Sequence, residues 1–360
     1  MKLAYLPLEP YRERYTEMLC DWTTARWRDR CEVLAIYAGD KFDGDIETGV
    51  VLDAHRRCHW ALTQMAALIK DLKEGVKYDA IYIDDLFHPG FESLPYIFAQ
   101  QKERAPKLFT RNWAQSVDED DFTFPMRRWM RHYERLVDQV TAGIFCASTC
   151  HAQAMRIAGL KGAQVVGLPF DSEDVRSRRR GAIARSDKPR VIFSSRWDKE
   201  KQPDFFMRVV RECGEQFEFL VCTGATELRS NWSSLIDDAR DLEQDGLLRI
   251  RTGCRKLDYY SELAGASVQF NCALQDYVAF TTLEASAFGV PTLAPAYKSF
   301  PEVLHNDERR LFVPWSITDA VSKLKVLATT EVLNEWEIAA PSVEHDKTLD
   351  KMLGWMKTIC

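Results

Sequence analysis

Short apolar runs alternate with helix-spaced segments almost from end to end of this 360-residue chain. The runs KLAYLPL, CEVLAIYA and YDAIYIDD are followed by YRERYTEMLCDW, VLDAHRRCHWALTQMAALIKDLKEG and SLPYIFAQQ. A strand that reads apolar at consecutive positions is buried on both faces, and a helix-length connection returns the chain to a parallel neighbour. The pattern predicts a doubly wound α/β fold. It continues through KLFT, the helix FPMRRWMRHYERLVDQV, AGIFCAS, a helix from Thr149 to about Ala158, and AQVVGLPF.

After Pro169 the composition changes. The stretch VRSRRRGAIARSDKPR carries Arg176, Arg178, Arg179, Arg180 and Arg185 with neither helical nor strand periodicity, as expected of a linker. A second series follows in RVIFSS, FEFLVCTG, LLRIRTGC, ASVQFNCA and VPTLAPA. The expected organisation is therefore residues 1–170 as one Rossmann-like domain, 171–189 as a basic linker and 190–340 as a second such domain. Residues 341–360 form a terminal helix able to pack back on the first domain. Sheets of this kind bind ligands beyond the carboxyl ends of their strands, so two of them imply a ligand cleft.

A net charge of −6 gives no global basic field, so any polyanion site must be local. No apolar run approaches the ~18 to 20 residues of a membrane span, and the first residues lack a signal-peptide pattern. A cytoplasmic protein with no membrane partner is expected. The ten cysteines are scattered without a Cys-x-x-Cys pair and read as buried thiols. Cys146, Cys150 and His151 lack the spacing of a metal site.

Chemistry concentrates in the second half. In VIFSSRWDKEKQPDFFMRVV, Arg196 and Lys201 stand between a strand and a helix, where two cations and outward-pointing amides form an anion trap suited to a diphosphate. In NCALQDYVAFTTLEASAFGVPTLAPAYKSFPEVL, Asp276 falls in a loop and Glu284 eight positions on inside a helix from about Phe280 to Phe288. The amides of Phe280, Thr281 and Thr282 offer a phosphate a second positive pole. A carboxylate behind that phosphate can accept two hydroxyl protons, as a ribose requires.

These residues resemble the carboxyl domain of retaining GT-B glycosyltransferases, which share an Arg…Lys pair and a Glu-x7-Glu motif, over roughly residues 140 to 315. The resemblance implies two doubly wound domains facing a cleft. It implies a UDP-sugar or GDP-sugar as co-substrate, with no metal and no other cofactor. Arg196 and Lys201 would neutralise the donor diphosphate, Glu284 would bind the ribose, and Asp276, an aspartate where the family has glutamate, would touch the transferred sugar. Backbone groups near Gly253 to Lys256 would meet the base. In such enzymes the departing phosphate oxygen can take the acceptor proton. Within the family, RWDKEKQPDFFMRVV and YYSELAGASVQFNCALQDYVAFTTLEASAFG resemble mannosyltransferases that glycosylate queuosine in transfer RNA.

The amino half departs from the family. PLEPYRERY has none of the usual glycines, and Arg111 stands where a histidine commonly contacts the donor sugar, either as a structural cation or as a second hold on the donor phosphate. Asp84 and Asp85 end a strand and suit acceptor binding or a turn cap, while Asp118 to Asp121 read as a solvated loop. Arg127, Arg128 and Arg131, interleaved with Trp129 and Tyr133, are either a nucleic-acid contact or a solvated stripe beside core aromatics. The expected acceptor is a hydroxyl of a modified base in DNA or transfer RNA. The alternatives are a saccharide or small-metabolite acceptor, or a nucleotide-sugar-binding protein that has lost catalysis.

Overall fold

The computed structural model describes residues 1–10, 14–41, 54–100, 105–121, 123–179, 187–230, 232–329 and 345–360. The chain forms two compact units, Met1–Pro169 with Ser342–Cys360, and Phe170–Pro341.

The first unit is built on β1 (Lys2–Leu6), β2 (Val33–Ile36), β3 (Ala80–Ile83), β4 (Lys107–Arg111), β5 (Gly143–Cys146) and β6 (Ala163–Val165). They pair in parallel in the order β2-β1-β3-β4-β5-β6. The connections carry α1 (Tyr15–Arg28), α2 (Ala54–Lys73), α3 (Ser93–Gln100), α4 (Arg127–Val140) and α5 (Thr149–Ala158). All four residues of β3 and of β5 are buried, which is why these strands read as unbroken apolar runs. The edge strand β2 is short and leaves Val33 and Ile36 exposed. Short edges of this kind limit unwanted pairing with other chains.

Alternate residues sort to opposite faces. Ala4, Leu6, Ile81, Ile83, Leu108 and Ile144 meet Met65, Leu68 and Leu72 of α2 and Ala152 and Met155 of α5. Leu3, Tyr5, Tyr82, Phe109 and Phe145 form the other face with Trp27 of α1.

The second unit opens with α6 (Ser172–Ser177) and contains β7 (Arg190–Phe193), β8 (Glu218–Cys222), β9 (Leu248–Arg251), β10 (Val268–Phe270), β11 (Thr292–Pro295) and β12 (Leu311–Phe312). The order is β12-β11-β10-β7-β8-β9, again all parallel. Its other helices are α7 (Pro203–Cys213), α8 (Ser233–Gln244), α9 (Lys256–Ala264), α10 (Phe280–Ala287), α11 (Phe300–Val303) and α12 (Ile317–Thr329). Phe193, Phe205, Phe206, Phe219, Phe270 and Phe312 fill its core, with Phe205 and Phe312 stacked at 5.4 Å.

Part of the expected basic linker is ordered helix. The Asp171 carboxylate accepts from the amides of Glu173 and Asp174, both at 2.9 Å, and so starts α6. Val175 is buried, and Arg176 donates to the Ala287 carbonyl at the end of α10. Arg178 pairs with Asp174 at 2.9 Å, while Arg179 follows the helix. Arg180 and Arg185 lie outside the described residues.

The final helix, α13 (His345–Ile359), belongs to the first unit. Leu349, Met352, Leu353 and Met356 enter the Tyr5–Tyr82–Phe145 face of its core. Trp355 meets Phe109 and Phe145 edge-on at 5.7 and 5.8 Å. That indole lies where a Cβ on Gly143 would be, 2.3 Å from its nearest ring carbon, so β5 needs glycine there. No disulfide links any of the ten cysteines, of which Cys146, Cys213, Cys222 and Cys272 are buried.

Candidate functional site

In the second sheet the chain runs outward from β7 to β9, then crosses back to lay β10 on the other side of β7. Connections leaving β7 and β10 therefore diverge at their carboxyl ends, the topological switch point where open α/β sheets hold ligands. Lys201 arrives there from β7, and Gln275 and Asp276 from β10. The buried Lys201 ammonium is 2.6 Å from Asp276 Oδ1 and 3.1 Å from Gln275 Oε1. Two further bonds clamp the loops together: Leu274 N–H to the Glu200 carbonyl at 3.1 Å, and the Cys272 thiol to the Lys201 carbonyl at 3.3 Å.

Arg196 is half-exposed in the same loop. Its guanidinium bonds Asp198 and Glu200, each at 2.6 Å, so neighbouring carboxylates hold it in place before any ligand does. Lys201 and Asp276 are thus brought together directly, with Arg196 on the loop that carries Lys201.

Glu284 lies in α10 and is 1% exposed. Its Oε1 pairs with the Lys256 ammonium and accepts from the Tyr260 hydroxyl at 3.1 Å. Burial pushes the Tyr260 phenol far above its ordinary range, which keeps it a donor. Tyr259 beside it donates to Ser194 Oγ at 3.0 Å and so links α9 to the residues just past β7. Sequence reasoning missed Lys256 and Tyr260 as partners of Glu284. Their one local signal is the four-residue spacing, which puts both on one face of α9.

The start of α10 is less open than expected. Ala279 offers no side-chain cap, and the Thr282 amide already donates to the Ala279 carbonyl at 3.1 Å. Thr281 Oγ1 accepts from Asn271 at 3.4 Å, and the Phe280 ring meets Phe170 edge-on. Gly253 takes a left-handed φ of 64° and donates its amide to the Ala225 carbonyl at 2.6 Å, closing the loop before α9.

In the first unit Arg111 sits among structural partners. It is 2% exposed, and its guanidinium reaches the Tyr82 hydroxyl at 3.3 Å, the Gly167 carbonyl at 3.0 Å and Met352 Sδ at 2.9 Å. Asp84 lies 3.4 Å from Arg111, accepts from the hydroxyls of Tyr5 and Tyr82, and is 4% exposed. Burial raises its carboxyl to about 6 against the pull of Arg111. Asp85 caps the following turn by accepting from Phe87 N–H at 2.9 Å and pairs with Arg57. The neighbouring Arg56 holds Glu9 at 2.6 Å.

Asp118 and Asp121 are buried, not solvated. Asp121 accepts from the Thr123 amide and hydroxyl at 2.8 Å and from the Gln115 amide at 3.3 Å, so it staples the loop before α4. Glu134 fixes the inner side of α4 by accepting from Ser116 and Gln115. At the start of α4, Arg127, Arg128 and Trp129 are exposed, the last 57%. Arg127 lies over the Phe124 ring at 4.1 Å, and Arg131 is half-buried. Tyr133 instead stacks on Phe87 and donates to the His88 carbonyl at 2.9 Å.

Among the described residues no group of three or more His, Cys, Asp or Glu is placed to hold a metal ion. No described helix is long and apolar enough to cross a membrane.

No protein-family profile matches the chain, and no curated protein matches it by sequence. Solved structures do. The trehalose-6-phosphate synthase OtsA superposes with a TM-score of 0.69 at 10% identity, over 100% of both chains. Sucrose-phosphate synthase from Thermosynechococcus elongatus gives 0.65 at 12% identity, over 100% of this chain and 96% of that one. Anabaena HepE in complex with UDP and glucose gives 0.63 at 12% identity, over 99% and 100%. The two six-stranded parallel sheets with their flanking helices are the GT-B fold, which these structures share.

Proposed function

We propose that this protein is a retaining glycosyltransferase that moves a sugar from UDP or GDP to a hydroxyl acceptor without a metal ion. The observation that carries the reading is the Lys201–Asp276 pair at the β7/β10 switch point, with Arg196 on the same loop. Cleavage of the anomeric bond leaves charge on the departing diphosphate and positive character on the sugar. Lys201 and Arg196 stabilise the first, and preorganised charge at that position is the largest contribution such a site can make. Asp276 accepts hydrogen bonds from sugar hydroxyls, and Glu284, already oriented by Lys256 and Tyr260, accepts those of the ribose. The departing phosphate oxygen takes the acceptor proton, so no second carboxylate is required. Complexes of HepE with UDP and with UDP-glucose support a uridine nucleotide as the first donor to try.

The acceptor we propose is a modified base in transfer RNA or DNA. Support comes from α4, where Arg127, Arg128 and Trp129 are exposed together, cations beside an aromatic face. The test incubates the protein with UDP- or GDP-sugars and either bulk transfer RNA or hydroxymethylated DNA, in the presence of EDTA, and weighs the nucleosides. A hexose-sized gain on one nucleoside, with the anomeric configuration of the donor retained, is the expected result. Donor turnover onto sugars with nucleosides unchanged would replace the nucleic acid with a saccharide acceptor. No binding and no turnover of any nucleotide sugar would remove the reading.

A further inference from the structure

Among the described residues, five that are not glycine take a left-handed backbone, and three of them, Gln202, Lys298 and Trp315, gather at one end of the second sheet. β11 and β12 pair in register, Pro295 beside Phe312, so the loops after them leave side by side. Trp315, with φ of 62°, holds its indole 58% exposed. A bulky side chain in that conformation is an outlier, and such outliers concentrate where a surface is shaped for a ligand. Tyr297 lies 5.9 Å from the indole, ring to ring, and the Lys298 ammonium lies 5.3 Å from the Tyr297 ring. With its amide oriented to satisfy both ends, Gln202 accepts from the indole N–H at 3.1 Å and donates to the Cys272 carbonyl at 3.0 Å. The indole is thereby tied to the residue next to Lys201. Ser299 donates to the Asp276 carbonyl at 3.0 Å and ties the β11 loop to the same place.

We propose that Tyr297 and Trp315 form a stacking platform for a carbohydrate ring. The inference rests on the donor-site reading for its orientation. The loops follow one another as Trp315, Tyr297, Asp276 and Lys201 in the strand order β12-β11-β10-β7, while Lys256 follows β9 at the far edge. A nucleoside on the Glu284–Lys256 side of the diphosphate leaves the platform on the sugar's side. A sugar ring offers an apolar C–H face to an aromatic surface and hydroxyls at its rim. The polar side chains bordering this surface, Gln202, Gln275 and Asp276, are amides and a carboxylate able to accept from sugar hydroxyls, with the Lys298 ammonium a further donor beside Tyr297. The ring is either the transferred sugar or a saccharide acceptor, which share this chemistry.

Trp315→Gly removes the indole at a position whose backbone favours glycine, and Trp315→Phe keeps a ring without the N–H. Calorimetry and ring-current NMR shifts would be recorded with UDP, GDP, UDP-glucose, UDP-N-acetylglucosamine and GDP-mannose, and with methyl glucoside and methyl mannoside in the presence of UDP. The expected result is upfield-shifted sugar C–H protons in the native protein. Affinity for that sugar falls about tenfold in Trp315→Gly and is largely kept in Trp315→Phe. Loss of the sugar nucleotide's advantage over the free nucleotide identifies the transferred sugar, and loss of methyl glycoside binding identifies an acceptor. Equal sugar affinities in the native and glycine proteins overturn the platform, as do shifts confined to nucleobase protons. Should UDP and GDP fail to bind while a methyl glycoside is still shifted, the donor reading falls and the platform stands.

Discussion

Lys201 and Asp276 illustrate how one pair of side chains links fold and chemistry. Lys201 Nζ sits 2.6 Å from the carboxylate, with its aliphatic stem buried and its charge at the switch point. Lys201→Met keeps the stem and removes the charge. The Asp276 side chain is 20% exposed and can be rehydrated, so the fold should survive. We expect donor turnover to fall about 100- to 1000-fold, the usual cost of losing one preorganised charge at a leaving group. The readout is sugar release from whichever UDP- or GDP-sugar the native protein turns over, with circular dichroism melting as the folding control, and a loss below about fivefold would exclude Lys201 from the reaction.

Elements of the first unit are joined by buried titratable groups. The His88 Nδ1 accepts from Gly90 N–H at 3.2 Å, so its Nε2–H faces Gln64 Oε1 at 3.0 Å. Gln64 of α2 in turn donates to the carbonyls of Pro7 and Tyr37, just past β1 and β2. Burial pulls the imidazoles of His88 and His151 down to about 3 from an ordinary 6.5. Both are therefore neutral in the folded state, and the stability this confers is complete above the unfolded value and lost as pH falls toward the folded one. Asp84 has the opposite sign: its carboxyl is raised to about 6, so its share of stability is present at low pH and lost as pH rises through 6. Between pH 7 and 5 the two histidines outweigh the aspartate, and we expect a net loss of roughly 2 to 3 kcal/mol, at 1.36 kcal/mol per pKa unit. Urea unfolding of the first unit at the two pH values measures it, and unchanged or greater stability at pH 5 would mean the histidines titrate normally.

At the scale of the molecule, the first unit is closed by the end of the chain. Leu349, Met352, Leu353 and Met356 are each at most 3% exposed against Leu3, Tyr5 and Tyr82. At about 1.5 to 3 kcal/mol per buried side chain, their removal is comparable to the whole 5 to 15 kcal/mol that holds a typical domain together. A chain ending at residue 341 should therefore lose the first unit while the second, Phe170–Pro341, persists. Limited proteolysis read by mass spectrometry distinguishes the outcomes: rapid digestion of residues 1–169 with a stable second-unit fragment is expected, and equal survival of both would show that α13 is dispensable.

The sheets were legible because AIYI, GIFC and VIF are apolar at consecutive positions, and only a sheet covered on both faces accommodates such strands. The spacing of Asp276 and Glu284 was likewise legible as a loop carboxylate followed by a helical one, as α10 has it. Helix α6 was hidden by its arginines, and the two-residue β12 is too short for periodicity to register. The burial of Asp118 and Asp121 was hidden because acidic runs usually face water. Sequence alone thus determined the alternation of strands and helices and the placing of Asp276 in a loop and Glu284 in a helix, since both depend on local spacing. Only the tertiary structure decided that Lys256 holds Glu284, that Asp84 pairs with Arg111 and that Trp315 reaches Gln202, because burial and charge pairing are set by neighbours remote in the chain.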